Sequence, residues 1–202
     1  MQKPNNYENT QEQGAFEAVE LGGHYMVIKQ VNETKSKKGK DMIVVLFDFD
    51  QSDKQPGYFM EQFKNDIRPD KKYPNQATQY ILSEDMDGNC SRSFKTFIGC
   101  VERSNAGFSV QWGENFCQQF KGKKIGGVFG EQMDFYNGEE KKKRVLRWFC
   151  QTDKVSEASI PEISETKAYK EHKMASPEGS VATSPDGFMN IPDGLDEELP
   201  FN

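Results

Sequence analysis

The chain has 202 residues, with 26 Lys or Arg against 32 Asp or Glu, a formal charge of −6 and 35% hydrophobic residues. That length suits one domain with an appendage, and no run approaches the ~20 apolar residues needed to cross a bilayer. Charge and aromatic content are uneven. Residues 1–150 hold 22 basic and 21 acidic residues, thirteen of the fifteen Phe and both Trp, whereas 151–202 hold 4 basic and 11 acidic. A near-neutral aromatic body is followed by an acidic tail, and each needs its own reading.

The stretch Met1–Gly14 is polar and lacks an apolar core of signal-peptide type, so a soluble, cytoplasmic protein is expected. Cys90, Cys100, Cys117 and Cys150 form no close pair of the CxxC kind, and reduced, mostly buried thiols are expected. The two histidines, His24 and His172, are far apart in sequence.

In chain order, residues 1–15 read as a flexible N-terminus. His24–Val31 reads as a strand with one ambiguous face, Tyr25, Val27 and Lys29 opposing Met26, Ile28 and Gln30. Glu33–Lys40 is a basic turn, and Asp41–Asp50 is a β-branched, aromatic second strand. Tyr58–Ile67 reads as a third strand and 68–90 as an extended loop with Pro69, Pro74 and Asp87-Gly88. Ser91 is placed to cap a helix to about Arg103, on which Phe94, Phe97, Ile98 and Val101 make an apolar stripe. A second helical piece is expected over Gly113–Phe120.

Ile125–Tyr136 is the fourth strand; Gly126, Gly127 and Gly130 within it signal a bulge, a bend or close backbone approach. Asn137-Gly138 is a hairpin signal, and Lys142–Gln151 is the fifth strand. Beyond Thr152, Ser, Glu, Pro and Ala dominate, and too little apolar surface remains to offset a chain entropy of ~1–2 kcal/mol per residue. Residues 153–202 therefore read as a disordered acidic tail, with a transient helix over Glu162–Met174. The order of three strands, a helix and two strands predicts a mainly β domain over 16–152. Its expected form is a five-stranded OB-fold barrel with one helix between strands 3 and 4.

No GxSxG, P-loop or HExxH pattern is present, so no catalytic residue, metal or cofactor is assigned. Asp48, Asp50 and Asp53 lie close in sequence and raise a metal site, and a metal-dependent nuclease using Asp48 and Asp50 is a rival reading. The basic and aromatic residues are more informative. Unpaired nucleic acid needs cations for phosphates and flat side chains for bases. Lys35, Lys37, Lys38 and Lys40 lie on the first hairpin, and Lys121, Lys123 and Lys124 open the fourth strand. Lys141, Lys142, Lys143, Arg144 and Arg147 lie on the last hairpin beside Tyr136 and Trp148. In an OB-fold the 1–2 and 4–5 loops flank the binding face, and Tyr58, Phe59, Tyr136 and Trp148 are the candidate stacking platforms. A β-barrel adaptor that binds protein alone is the main alternative, and RNA is not separated from DNA by this chemistry. Self-association through an exposed strand is left open.

The chain ends Asp196-Glu197-Glu198-Leu199-Pro200-Phe201-Asn202. These acids before Leu-Pro-Phe resemble the acidic tip of bacterial single-stranded-DNA-binding proteins, except that Asn202 follows the Phe that is terminal there. The body is similar to a phage-encoded family of single-stranded-DNA-binding proteins. That likeness rests on Phe16-Glu17, the Gly22-Gly23-His24-Tyr25 strand, the Lys37-Lys38-Gly39 turn and Lys121-Gly122-Lys123. The resemblance implies a protein that coats single-stranded DNA in replication or recombination. It further implies that partner proteins of those processes are recruited through Asp196, Glu197, Glu198, Leu199, Pro200 and Phe201.

Overall fold

The computed structural model describes residues 1–5, 7–9 and 17–175. Strand β1 (Gly22–Lys35) pairs antiparallel with β2 (Asp41–Phe49) across a turn in which Gly39 has φ +77°. The pairing slips by one residue between Ile28 and Gln30. Lys29 is thus a bulge residue, and the inward set changes from Met26 and Ile28 to Val31. That extra residue breaks the period of two, which is why the alternation of β1 is ambiguous in sequence.

The segment expected as the third strand is helix α1 (Tyr58–Asn65). Its cap, Gly57, has no side chain to accept the first amides. Asp48 of β2 supplies the acceptor instead: its Oδ1 takes the amides of Phe59 at 3.0 Å and Met60 at 3.4 Å. Phe59, fully buried against Phe47 and Phe49, anchors the helix to the sheet. The actual third strand, β3 (Thr78–Leu82), lies within the stretch expected to be loop. Helix α2 (Arg92–Ser104) forms as expected: Ser91 Oγ accepts the Phe94 amide, and Phe94, Phe97, Ile98 and Val101 are buried. Of the expected second helical piece, a single 3-10 turn forms at Gln118–Phe120.

Strands β4 (Lys124–Tyr136) and β5 (Glu139–Cys150) make the hairpin signalled by Asn137-Gly138, whose φ values are +55° and +80°. These match the two-residue turn that suits strand twist. The bulge in this pair falls on β5 at Arg147.

The fold is mainly β, as expected: the sheet runs β3-β2-β1-β4-β5 with β6 beside β4, and it is unclosed, because β3 and β5 share no ladder where a five-stranded barrel would join them. A side chain spans the gap: Gln76 Nε2, just before β3, donates to the Arg144 carbonyl of β5 at 2.8 Å. The core lies between the sheet and the helices, where Phe47, Phe49, Phe59, Phe97, Phe120 and Phe129 are fully buried. Each such ring contributes roughly 1.5–3 kcal/mol. Inside this core His24 stacks on Phe49 and pairs through Nδ1 with Asp53 Oδ1 at 2.9 Å.

Disorder was the expectation from residue 153 onward. Residues 153–175 instead form a strap, a two-residue strand β6 (Ser164–Glu165) parallel to β4, and helix α3 (Lys167–Ala175). The strand glycines explain why so polar a segment docks. A Cβ on Gly23 would stand 2.1 Å from the Val155 carbonyl, and one on Gly130 would stand 2.4 Å from Pro161. Val155 itself is buried. The glycines thus serve close backbone approach by this strap.

Candidate nucleic-acid interface

The register of β1, β2 and β3 places three rows on the outer face of the sheet: Gln30-Leu46-Thr78, Asn32-Val44-Tyr80 and Thr34-Met42-Leu82. None of these side chains is charged, and Tyr80 is 64% exposed. An exposed face without charge, built of amides, hydroxyls, apolar groups and a ring, suits flat uncharged groups rather than water alone. At one end stands the β1–β2 turn. There Lys37 and Lys38 are exposed and make no ion pair among the described residues. Lys35 pairs with Asp41 at 2.6 Å, and Lys40 Nζ donates to the Asp85 carbonyl. At the other end Lys29 sits on its bulge, 3.8 Å from Asp48.

The residues singled out in the sequence fare differently. Phe59 is buried, so it is core and helix anchor, not a stacking platform. Tyr58 is half-buried and donates its hydroxyl to the Glu17 carbonyl at 2.6 Å. Tyr136 and Trp148 are exposed at 60% and 47%. Lys121 is exposed, Lys123 lies over the Phe108 ring at 4.3 Å, and Lys124 pairs with Asp50 at 3.3 Å.

On the last hairpin the basic residues meet acids. Lys141 pairs with Glu139 of its own strand, and β4 brings Glu131 to Lys142 at 2.5 Å and Asp134 to Lys143 at 2.6 Å. The Lys143 ammonium, followed by the Thr166 hydroxyl, holds the Asp134 carboxyl below the usual carboxylate range. Arg144 donates to the Val19 carbonyl and Arg147 to that of Glu162. Surface pairs of this kind hold weakly and exchange readily for a phosphate. Tyr58, Lys142, Lys143 and Arg144 do come together, lining one cleft of about 490 Å³ with Gln62 and Gln76. None of the turn lysines lines it.

The three aspartates turn to separate partners: Asp48 to the α1 amides, Asp50 to Ser52 and Lys124, Asp53 to His24 and the Tyr25 amide. Burial is the largest influence on Asp48 and raises its carboxyl above the usual value despite three amides and Lys29. Among the described residues no cluster of three or more potential metal ligands is assembled. The four thiols are free. The tail residues Asp196, Glu197, Glu198, Leu199, Pro200 and Phe201 lie outside the described residues.

Tyr80 and its neighbours escape a reading of the sequence because the aromatic run from Tyr58 takes the place of the third strand, twenty residues too early. The signal was present in Thr78-Gln79-Tyr80-Ile81-Leu82, a short β-prone run between turn-rich stretches. Lys64, Arg68, Lys71 and Lys72 in the segment before β3 escape such a reading as well. There Arg68 forks onto Asp66, and Lys71 lies 4.9 Å from the Phe63 ring. Compared with protein-family models and with curated proteins, the chain matches none.

Proposed function

We propose that this chain binds single-stranded DNA without catalysing a reaction, and that it does so across the outer face of β1–β2–β3. The observation that carries the reading is the uncharged three-row face bearing exposed Tyr80, bounded by Lys37 and Lys38. Bases stack on such a face while their phosphates meet the flanking cations. The strand order β3-β2-β1-β4-β5, with a helix between β3 and β4, supports an OB-type reading. In that fold the face of strands 2 and 3 is the usual binding surface, and the barrel is often partly open. The Gln76–Arg144 bridge stands where the closing ladder would run.

The cleft of Tyr58, Lys142, Lys143 and Arg144 extends the path toward β5. In this proposal the protein serves DNA replication or recombination, and the Asp196–Phe201 tip recruits partner proteins. The test is fluorescence anisotropy with labelled oligo(dT), duplex DNA and RNA of equal length, read at several salt concentrations. Binding of oligo(dT) above duplex, with log–log salt slope near −0.7 per phosphate contacted, is expected. Absence of binding overturns the reading and leaves an adaptor that contacts protein alone, and binding indifferent to salt overturns the phosphate contacts assigned to the flanking lysines.

A further inference from the structure

Between the turn end of β1–β2 and the segment after α2 lies a cavity of about 340 Å³, lined in part by Glu33, Thr34, Asp41, Met42, Trp112 and Phe116. Trp112 is 71% exposed, the most open of the large rings among the described residues. Its indole nevertheless lies flat on Phe116, with centroids 5.2 Å apart and planes 12° from parallel, and Phe94 stands 6.2 Å away. Phe94 and Phe116 are buried. Trp112 is therefore an open plate braced by the core, and its χ freedom is already reduced before anything binds.

Among the described residues the charged lining consists of the carboxylates Glu33 and Asp41, with no Lys or Arg. Asp41 is held by Lys35, whereas Glu33 makes no ion pair among the described residues and lies beside the Cys117 thiol. Such a cavity repels phosphate. It suits a flat group that stacks and donates hydrogen bonds.

We propose that this cavity receives one unpaired nucleobase carrying an exocyclic amino group, with cytosine as the simplest case, stacked on Trp112 and donating to Glu33. This rests on the single-stranded DNA reading and deepens it, because Thr34 and Met42 belong both to the cavity and to the end row of the uncharged face. A guanidinium from a basic peptide has similar donor chemistry. However, Lys37 and Lys38 on the same turn repel a basic peptide and attract the phosphates on either side of a base. An acidic floor with a basic rim therefore selects a nucleotide. Thymine offers carbonyls where cytosine offers an amino group, so the cavity discriminates between them.

The experiment uses the full chain with Trp148→Phe, so that Trp112 is the remaining indole. Oligo(dC) and oligo(dT) of equal length are titrated against its emission, with an arginine-rich peptide as a third titrant. Oligo(dC) is expected to quench Trp112 and to bind about fivefold or more tightly than oligo(dT). Trp112→Ala should weaken oligo(dC) binding roughly five- to hundredfold. Glu33→Ala should abolish the preference for oligo(dC) while keeping the thermal midpoint. Equal affinities for the two oligomers, or binding with Trp112 emission unchanged, overturn the cavity proposal and leave the sheet-face reading standing. Quenching by the peptide and not by DNA assigns the cavity to a protein partner and overturns it as well. If neither oligomer binds at all, the single-strand reading itself fails and takes this proposal with it.

Discussion

The Oδ1 atom of Asp48 lies 3.0 Å from the backbone nitrogen of Phe59, so a residue inside β2 caps a helix that begins ten positions later. Removing that acceptor leaves the first amides of α1 uncapped at a site closed to water. Asp48→Ala should cost about 1–2 kcal/mol in urea unfolding.

The same carboxyl makes a pH prediction. Its value is raised above 3.8 in the folded protein, chiefly by burial. The folded state therefore holds the proton more tightly. The stability this group contributes is fully present below pH 3.8 and is lost as pH rises through the folded value. Asp48→Asn, which stays neutral, should thus be costlier at pH 4 than at pH 7. Unfolding curves of both proteins at the two pH values check the sign, and a cost that grows toward pH 7 contradicts it.

Phe59 and Tyr80 should separate folding from binding. Phe59→Ala opens a cavity in the aromatic core and should cost about 3–5 kcal/mol of stability. Tyr80→Ala should leave the melting temperature within a few degrees while weakening oligo(dT) binding by ~1–3 kcal/mol.

The two basic hairpins should also differ. Lys37 and Lys38 make no ion pair among the described residues, and replacing each by Ala should lower the salt slope by about 0.7. Lys142 and Lys143 must leave Glu131 and Asp134 before they meet a phosphate. Their replacement should change the slope less, and equal changes at both hairpins would argue against the assigned path.

Truncation after Ala175 and after Thr152 should not be equivalent. The shorter chain loses Val155, which is buried over Gly23, together with the pairing of β6 on β4. It should lose at least the ~1.5–3 kcal/mol of that side chain's burial, whereas the longer should melt like the full protein. Matching melts for both would show the strap to be dispensable.

The thiols give a simple check of packing. Cys90 is exposed, whereas burial pushes the thiols of Cys100 and Cys117 up and that of Cys150 to about 11. At pH 8 one thiol should react quickly with a disulfide reagent and three slowly, since the thiolate is the reactive form.

What sequence reveals here is whatever depends on neighbours along the chain. Asn137-Gly138 specifies its turn by backbone preference alone. Ser91 caps a helix that starts at the next residue, and the β2 run alternates against one core face. The basic turn at Lys37 and Lys38 is equally local, and so half of the candidate interface could be read directly.

The remainder was decided by residues distant in sequence. Tyr58–Asn65 has the aromatic content of a strand, yet becomes helix because Asp48 offers an acceptor and the Phe47–Phe49 core offers a seat for Phe59. β3 is recognisable once β2 lies beside it, since one buried residue, Ile81, cannot define a face by itself. The charges of Lys142 and Lys143 are offset by acids that only the β4–β5 register brings near. The segment after Thr152 has too few apolar groups to fold alone, and it is held because glycines in β1 and β4 let its backbone come within contact distance. Local propensity acts through a few bonded neighbours, whereas caps, edge strands, ion pairs and close backbone approach need partners that exist only after the sheet has formed.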